Sequence, residues 1–466
     1  MLFSSLEFLF LYIAVVLPLY YITPLKWRAV TLFAVSLVFY GWGEPIYVFL
    51  MLFTIALDYA LGRVVEAHRE DKWGKRALIT AIVINIGVLA FFKYYDFFVV
   101  NLAKIPFLSG LEPIGLEMPV GISFYTFQAL SYVIDIYRSD ARAQKDPVKF
   151  GTYVTLFPQL IAGPIVRYKD IDDQLAEREH SVATAASGAR TFIAGLAKKV
   201  LIANTAGALW QAALAVPSAE RTVLGAWLGI FFYTLQIYFD FSGYSDMAIG
   251  LGKLFGFRFL ENFNYPYISR SITEFWRRWH ISLSSWFREY LYIPLGGNRK
   301  GRGRMYLNLL IVWFLTGFWH GSGWNFILWG LYYFVLLSIE KAFLGRLIEK
   351  LPRFFAHLYT LVAVMFGWLL FASEDMTAGF EYMKTMVGLG GGLAGRLDLY
   401  ELCRNLVFIA VAVVGATPLP KKLFIKLYNR SAIGSVLAAA GSVLILVLCT
   451  AYLVDSSFNP FLYWSF

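Results

Sequence analysis

The sequence predicts an all-α polytopic membrane protein, with about ten to twelve transmembrane helices and further re-entrant or interfacial helices around a central funnel. Hydrophobic residues make up 59% of the 466 residues and charged residues 15%. The mean hydropathy of +0.60 lies far above the range of soluble globular proteins. Apolar runs that could cross a hydrocarbon layer of about 30 Å recur along the chain, near residues 5–22, 29–43, 46–62, 77–93, 222–239, 323–340, 355–372, 405–419 and 432–454.

The charge pattern predicts how these helices are oriented. The first run contains Glu7 and no basic residue precedes Lys26, so it is interpreted as a retained helix rather than a cleavable signal. The net charge of +10 is interpreted as a topology signal and not as nucleic-acid binding, because Lys and Arg mark short cytoplasmic loops. Placing the loops around Lys26, 63–76 and 421–430 inside predicts that both termini are extracytoplasmic.

The middle of the chain, from about 119 to 320, differs from its ends. Gly, Pro and charged residues interrupt it, as in "LFPQLIAGPIVRYKD" (156–170) and "FDFSGYSDMAIGLGKLFGFRF" (239–259), which predicts broken helices. The carboxylates of Asp240 and Asp246 at membrane depth require protein or water around them. Both are therefore candidate substrate-binding residues, with a structural ion pair as the alternative.

A basic and aromatic stretch, "SITEFWRRWHISLSSWFREYLYIPLGGNRKGRGR", covers residues 271–304. A helix over 273–290 would place Arg277, Ser284 and Arg288 on one face, as candidate substrate-binding residues, beside His280. Four cations follow, which are candidate donor-binding or anion-binding residues: Arg299, Lys300, Arg302 and Arg304. They suit the phosphates of a nucleotide-type thioester, an acidic carrier protein or anionic lipid head groups, and an ordinary positive-inside loop is the alternative.

Within the stretch "MYLNLLIVWFLTGFWHGSGW", residues 305–324, an apolar run ends at His320. Counting about 1.5 Å per residue from Arg304 puts it roughly 24 Å along a helix, past the bilayer middle. An ionisable residue at that depth is a functional candidate, whereas the alternative is a histidine stabilised by a helix C-terminus. His280 and His320 together favour general acid–base chemistry. No metal is predicted, because no third ligand follows at suitable spacing.

Three motifs carry a resemblance that extends over essentially the whole chain. The stretches "FDFSGYSDMAIG" (239–250), "FWRRWHISLSSWFREYLYIPLGG" (275–297) and "TGFWHGSGWNFILWG" (316–330) resemble the membrane-bound O-acyltransferases, in particular their alginate O-acetylase branch. This resemblance implies a location in a bacterial cytoplasmic (inner) membrane. It implies one domain over residues 1–466, with a funnel-shaped catalytic centre within about 119–330. It also implies that the deep family histidine is His320 and the second family histidine is His280.

The C-terminal tail, residues 455–466, carries a further family pattern. In the D-alanylation branch a separate membrane peptide supplies an acyl-accepting tyrosine in a Phe-x-Tyr-x-x-Phe motif, and here Phe461, Tyr463 and Phe466 match that pattern on the chain itself. The resemblance therefore favours the acetyl branch and implies that Tyr463 is the third catalytic residue, with both phenylalanines seating it. An aromatic belt at the membrane interface is the alternative.

The resemblance implies an acetyl thioester as donor substrate, either acetyl-coenzyme A or an acyl carrier protein, and no tightly bound cofactor. It implies O-acetylation of an extracytoplasmic polysaccharide such as alginate or cellulose, completed by an extracytoplasmic acetyltransferase of the SGNH type with a serine nucleophile. Anionic lipids are further expected partners and nucleic acid is not. The alternatives are peptidoglycan O-acetylation, teichoic-acid D-alanylation, a transporter or flippase for a polar lipid or glycan, and a non-catalytic scaffold.

Overall fold

The computed structural model describes residues 1–161, 163–429, 432–455 and 459–462. All regular secondary structure in these residues is helical, which confirms the predicted all-α class. The chain forms two compact units. Residues 1–192 and 244–260 belong to the first unit, and residues 193–243 and 261–462 belong to the second.

The first unit is built from helices that follow one another closely along the chain. Its longest, Lys72–Leu102, begins where the side chain of Asp71 accepts hydrogen bonds from the backbone N–H groups of Trp73 and Gly74. The other helical segments are Phe8–Tyr12, Ile13–Ile22, Leu25–Trp27, Arg28–Gly43, Tyr47–Ala67, Pro106–Leu108, Ile122–Arg138, Pro147–Thr155, Phe157–Leu160, Tyr168–Ala176 and the greater part of Val182–Ala197.

The second unit contains helices of very different lengths, two of which bear on the candidate site. We call Val223–Leu254, most of which lies in this unit, the central helix, and Arg302–His320 the histidine helix. The remaining segments are Lys198–Ala203, Asn204–Leu214, Pro266–Ile268, Ile272–Arg278, Ile281–Phe287, Arg288–Tyr292, Trp324–Ile339, Glu340–Leu344, Gly345–Lys350, Arg353–Ala372, Met376–Met386, Arg396–Arg404, Leu406–Gly415, Leu419–Tyr428 and Ala432–Asp455.

The helices confirm a multi-pass membrane protein. In the described residues, seven helices are long and apolar enough to cross a membrane, or eight if Leu406–Gly415 and Leu419–Tyr428, bent by 71°, form one span. This number is below the expected ten to twelve because some apolar runs form shorter helices. The run 29–43, for example, lies in the 16-residue helix Arg28–Gly43.

The glycines of the central helix do not break it, contrary to the sequence expectation for 239–259. The helix continues to Leu254. A Cβ at Gly243 would lie 2.7 Å from the carbonyl oxygen of Gly195, and one at Gly250 would lie 2.7 Å from that of Gly188. These glycines therefore allow another helix backbone to approach closely. The segment 156–170 is broken as expected, between Phe157–Leu160 and Tyr168–Ala176.

Glycines also position the C-terminal end of the histidine helix. A Cβ at Gly317 would lie 2.3 Å from the carbonyl oxygen of Phe326, and a Cβ at Gly330 would lie 2.4 Å from that of Trp313. Helix Trp324–Ile339 can therefore pack directly on the histidine helix only where both backbones lack side chains. This contact brings the Trp329 ring to 5.0 Å from the ring of His320.

Candidate functional site

A cavity of about 1030 Å³ lies in the second unit, a volume at the upper end of the range for small-molecule sites. Five of its lining residues are cations: Arg277, Arg288, Arg299, Lys300 and Lys341. No carboxylate lines it, and within the described part of the chain no ion pair joins any of these cations to an acidic side chain. We call it the basic cavity. Its unbalanced positive charge favours an anionic ligand.

The single helix predicted over 273–290 is wrong. Helix Ile272–Arg278 ends at Trp279, whose backbone is extended, and His280 has a positive φ of 43° before helix Ile281–Phe287 begins. Asn262 holds this break, because its carbonyl oxygen accepts a hydrogen bond of 2.9 Å from the backbone N–H of Ile281. The chain therefore turns at His280 instead of continuing as one helix.

The turn still brings most of the predicted binding residues together. Arg277 precedes it and Ser284 and Arg288 follow it, and all three line the basic cavity. Arg299 and Lys300 line it as well. Arg302 and Arg304 do not line it, because they form the first turn of the histidine helix, where Arg304 Nε donates to the carbonyl oxygen of Leu295 at 3.3 Å.

His280 is buried and its tautomer can be assigned. Asn262 Oδ1 accepts hydrogen bonds from the backbone N–H of Ser282 (3.2 Å) and the Ser282 hydroxyl (2.9 Å), so this atom is an oxygen. His280 Nδ1, 3.1 Å away, must then donate to it. Nε2 is left as the acceptor nitrogen, without a hydrogen-bond partner among the described residues. Burial lowers the pKa of His280 to about 3, so the ring is neutral at physiological pH.

His320 lies at the end of the histidine helix in an aromatic surround. The side chain is 3% exposed, and its ring centroid lies 4.9 Å from Trp319, 5.0 Å from Trp329 and 5.3 Å from Phe371. It does not line the basic cavity. Thr316, one turn earlier on the same helix, does line it, which puts His320 about 6 Å farther along the helix axis.

An aromatic layer separates the basic cavity from His320. Trp276 lines the cavity, and its ring packs edge-on against Trp329 with centroids 5.5 Å apart. Trp329 in turn contacts His320. The ring of Trp319 packs against both histidines, 6.2 Å from His280 and 4.9 Å from His320. The two histidines thus share one aromatic neighbour, Trp319.

Glu340 supports the cavity wall, a role that sequence reasoning missed. This buried carboxylate accepts hydrogen bonds from the backbone N–H groups of Ile272 (2.7 Å) and Thr273 (2.9 Å) and from the Thr273 hydroxyl. It thereby caps the helix that carries Arg277, where a negative charge complements the helix dipole. The available signal was an acidic residue at the end of the apolar run 323–340.

The two predicted acidic residues of the central helix, Asp240 and Asp246, are not among the residues that line the basic cavity. Asp240 is 1% exposed and pairs with Lys199 at 2.7 Å, while its Oδ2 accepts a hydrogen bond from the backbone N–H of Leu462. Asp246 belongs to the first unit and is partly buried. Phe461 is buried, and Tyr463 and Phe466 lie outside the described residues. In the described part of the chain, no three His, Cys, Asp or Glu side chains are grouped as metal ligands.

Comparison with known proteins confirms the resemblance. The sequence model of the membrane-bound O-acyltransferase family matches residues 127–374. A protein described as "Probable alginate O-acetylase" from Azotobacter vinelandii is 41% identical over 89% of this chain and 85% of its own length. A protein with the same description from Pseudomonas putida is 39% identical over both full lengths. A peptidoglycan O-acetyltransferase from Helicobacter pylori is 34% identical over 76% of this chain and 73% of its own.

Proposed function

Because the chain belongs to the membrane-bound O-acyltransferase family and is an acyltransferase, we propose that it transfers an acetyl group across the membrane. The donor is a cytoplasmic acetyl thioester, the acyl acceptor on the chain is Tyr463, and the final acceptor is an extracytoplasmic polysaccharide. The cytoplasmic membrane of a bacterium, with both termini outside, is the setting that this route requires.

The basic cavity is the observation that carries this proposal. Its cations have no carboxylate partners among the described residues, so phosphate groups of a nucleotide-type thioester would satisfy them. Acetyl-coenzyme A is therefore the donor that the cavity favours, and an acyl carrier protein is the second choice. The rings of Trp276 and Trp329 lie between the cavity and His320, so the proposal requires them to move apart for the thioester to reach the histidine while its phosphates stay among the cations.

The proposed first step is a transesterification at the thioester carbonyl. His320 accepts the phenolic proton of Tyr463 as the Tyr463 oxygen attacks the carbonyl carbon, and the new C–O bond replaces the C–S bond. The imidazolium of His320 then returns this proton to the departing thiolate. Because a phenol, with a pKa of about 10, is a better leaving group than a sugar hydroxyl, the acetyl-tyrosine ester retains its transfer potential.

His280 supports this step without exchanging the proton itself. Its Nδ1–H is held by Asn262 and its Nε2 acceptor lies in an aromatic pocket with Phe241, whose ring centroid is 4.7 Å away. A neutral imidazole fixed in this way would accept a hydrogen bond from the donor or from an ordered water. His280 therefore orients the reacting groups, and His320 carries the acid–base chemistry.

The second step moves the acetyl group from Tyr463 to the polymer. A serine hydroxyl of an extracytoplasmic SGNH-type acetyltransferase would attack the acetyl-tyrosine ester, which regenerates the phenol, and would pass the acetyl group to a sugar hydroxyl. Alginate is the polymer favoured by the names of the relatives from Azotobacter vinelandii and Pseudomonas putida. Peptidoglycan is the alternative favoured by the Helicobacter pylori relative.

Mass spectrometry of the C-terminal peptide tests the first step. The purified full-length protein is incubated with acetyl-coenzyme A that carries a labelled acetyl group, and the mass increase on Tyr463 is measured over time. We expect labelled Tyr463 in the native sequence, greatly reduced labelling in His320→Ala, and none in Tyr463→Phe. Labelled polymer without any label on Tyr463 would contradict the relay and would indicate direct transfer.

A reconstituted vesicle assay distinguishes the proposal from a flippase. The acetyl donor is supplied outside vesicles in which the protein is inserted with its basic cavity toward the outer solution. Acetylated acceptor is then measured inside the vesicles. Acetyl transfer that disappears in His320→Ala supports the enzyme. Movement of an intact glycan or lipid at an equal rate in the native and His320→Ala proteins would support the flippase and contradict our proposal.

A further inference from the structure

A buried ion pair lies within the membrane-spanning helices of the second unit and takes no part in the basic cavity. Lys199 Nζ lies 2.7 Å from Asp240 Oδ1, and both side chains are 1% exposed. Lys199 belongs to the spanning segment Val182–Leu214 and Asp240 to the central helix. Removing two charges from water is costly, so a pair at this depth needs further hydrogen bonds to satisfy its remaining donors and acceptors.

The chain's own C-terminal segment supplies these hydrogen bonds. The backbone N–H of Leu462 donates to Asp240 Oδ2 at 2.9 Å, and the carbonyl oxygen of Pro460 accepts from Lys199 Nζ. Asn204 links Lys199 to the C-terminal segment. Its Oδ1 accepts a hydrogen bond from Lys199 at 2.9 Å, and its Nδ2 donates one to Asn459 Oδ1 at 3.2 Å. The cation thus binds a backbone acceptor and the carboxylate binds a backbone donor.

The bound segment is suited to this role by its own sequence. Pro460 fixes its φ angle and restricts Asn459 to extended conformations, so residues 459–462 lose little further freedom when they bind. The side chain of Phe461 is 8% exposed, so an apolar anchor accompanies the polar contacts. Because the polar contacts are mainly to the backbone, they fix the path of the chain rather than the identity of its side chains.

We propose that Lys199, Asn204 and Asp240 form a dock that binds residues 459–462 and thereby positions Tyr463 for acetylation. Consecutive Cα atoms are 3.8 Å apart, so fixing the N–H of Leu462 closely limits where the next residue can lie. The role assigned to Tyr463 rests on the proposed function, whereas binding of the segment does not. Lys199, Asn204 and Asp240 are positioning residues, because they touch the tail rather than the reacting atoms.

The dock is adjacent to the candidate catalytic residues along the central helix. Phe241, the residue after Asp240, packs its ring against His280, and Tyr238, one turn earlier, packs against Trp279 with centroids 6.2 Å apart. One stretch of the central helix therefore holds the tail and also supports the turn that carries His280. Residues 459–462 are therefore bound to the same stretch of the central helix that supports the His280 turn.

Hydrogen–deuterium exchange of the C-terminal peptide in the full-length protein tests the dock directly. In Lys199→Met/Asp240→Leu, which removes both charges together, we expect the amides of Phe461 and Leu462 to exchange at least about tenfold faster. Replacing both partners avoids a lone buried charge, which would itself destabilise the fold. Asn204→Leu is a milder second variant, for which we expect a smaller increase in the exchange rate of the same peptide. It tests the dock if the double variant does not fold.

Two control variants separate docking from folding and from chemistry. Arg221→Met removes another buried cation of the same unit, which contacts the carbonyl oxygens of Leu214 and Val216, and should leave exchange of the tail unchanged. Tyr463→Phe should also keep the tail protected, because it alters only the acyl acceptor. Tail exchange that is equally slow in the native, double and Asn204→Leu proteins would overturn the dock.

The kinetics of acetyl loading separate this proposal from the proposed function. If Tyr463 is loaded, the double variant should lower the rate constant of loading at least about tenfold and leave the KM for the donor unchanged. A purely structural role would instead alter both constants and the folded fraction, and would contradict positioning. Faster tail exchange in a protein that never labels Tyr463 would uphold the dock and overturn the acyl relay.

Discussion

The basic cavity and the dock both depend on cations, but they satisfy these cations in opposite ways. In the cavity, Arg277, Arg288 and their neighbours are open to solvent and have no acidic partner within the described residues. In the dock, Lys199 is 1% exposed and is bound by Asp240, Asn204 and the carbonyl oxygen of Pro460. The cations of the cavity can therefore bind an anion from solution, whereas Lys199 and Asp240 in the dock already bind residues 459–462.

Under the proposed function, the two regions would supply different substrates to one histidine, His320. Cations at an open cavity hold a ligand that must enter and leave in each turnover. A buried ion pair that also bonds to backbone groups holds a segment that remains attached to the protein throughout. An acyl relay needs a donor that enters and leaves in each turnover and an acceptor that remains attached to the protein. The comparison can therefore be tested by mutating the cavity and the dock separately.

The largest effect is expected at the centre that both regions are proposed to serve. His320→Ala should lower kcat for acetyl transfer by about 10²–10⁴-fold, because it removes the proposed general acid–base group. The radiolabelled acetyl group transferred per minute is the measurement. His68→Ala is the matched control, since the exposed His68 ring bonds to the nearby Asp71 and to no other side chain among the described residues, and it should be near native. Equal losses in both variants would contradict a specific role for His320.

A selective effect on donor binding is expected at the basic cavity. Arg277→Ala/Arg288→Ala should raise the KM for acetyl-coenzyme A at least about tenfold with little change in kcat, because two cations that line the cavity are lost. The affinity of the native protein should also fall with added salt, which screens exposed charges, while the buried dock is screened much less.

The matched control for the cavity lies in the same basic stretch. Arg302→Ala/Arg304→Ala removes two cations from the first turn of the histidine helix that do not line the cavity, so the KM should stay within about twofold of the native value. An equal rise in KM in both double variants would show that the whole basic stretch acts as a diffuse positive surface. The cavity would then have no special role in donor binding.

A smaller effect is expected from the packing that holds His320 beside Trp329. A Cβ at Gly330 would lie 2.4 Å from the Trp313 carbonyl oxygen, so Gly330→Ala must separate two helices, at a cost of about 1–3 kcal/mol. Thermal unfolding should show a lower midpoint, together with a lower kcat. Gly303→Ala is the control, because a Cβ there has no atom within 4 Å, and it should be neutral or slightly stabilising.

Most of the fold class could be predicted from sequence because long apolar runs have few structural alternatives in a membrane. The burial of His320 could also be predicted, because it follows an apolar run. The turn at His280 could not be predicted, because it depends on Asn262, which is distant in sequence and supplies the bonds that hold an unfavourable backbone conformation. Local spacing alone favoured one continuous helix over 273–290.

The dock shows a second limit of sequence reasoning. Asp240 was recognised as unusual, but its partner Lys199 lies in the run "AKKVLIAN" (197–204), where a lysine also fits a cytoplasmic helix end. The terminal segment adds contacts to backbone groups, which have no sequence signature at all. Pairings over more than 200 residues, through backbone atoms, depend on tertiary structure. The four cations of 299–304 also differ in position because of tertiary structure. Of these four, Arg299 and Lys300 line the cavity and the two others do not.

The smallest effect is expected from the protonation of His280, because burial holds its pKa at about 3. The ring stays neutral between pH 5 and 8, so any inflection of log kcat in that range belongs to another group. His280→Asn, which tolerates the positive φ of 43°, should lower kcat without moving the inflections. A shift of an inflection by more than about half a pH unit would contradict a neutral orienting role.

The low pKa of His280 also makes the stability of the native protein depend on pH. An unfolded histidine takes up a proton below about pH 6.5, whereas the folded protein does not protonate His280 until about pH 3. Between these values the unfolded state binds more protons, so the native protein loses stability as the pH falls. His280→Asn should lose less stability between pH 6.5 and 4.5 in denaturant unfolding. If the free energy of unfolding depended on pH equally in the native and His280→Asn proteins, His280 would be protonated equally in the folded and unfolded states. The assignment of a buried neutral imidazole would then be wrong.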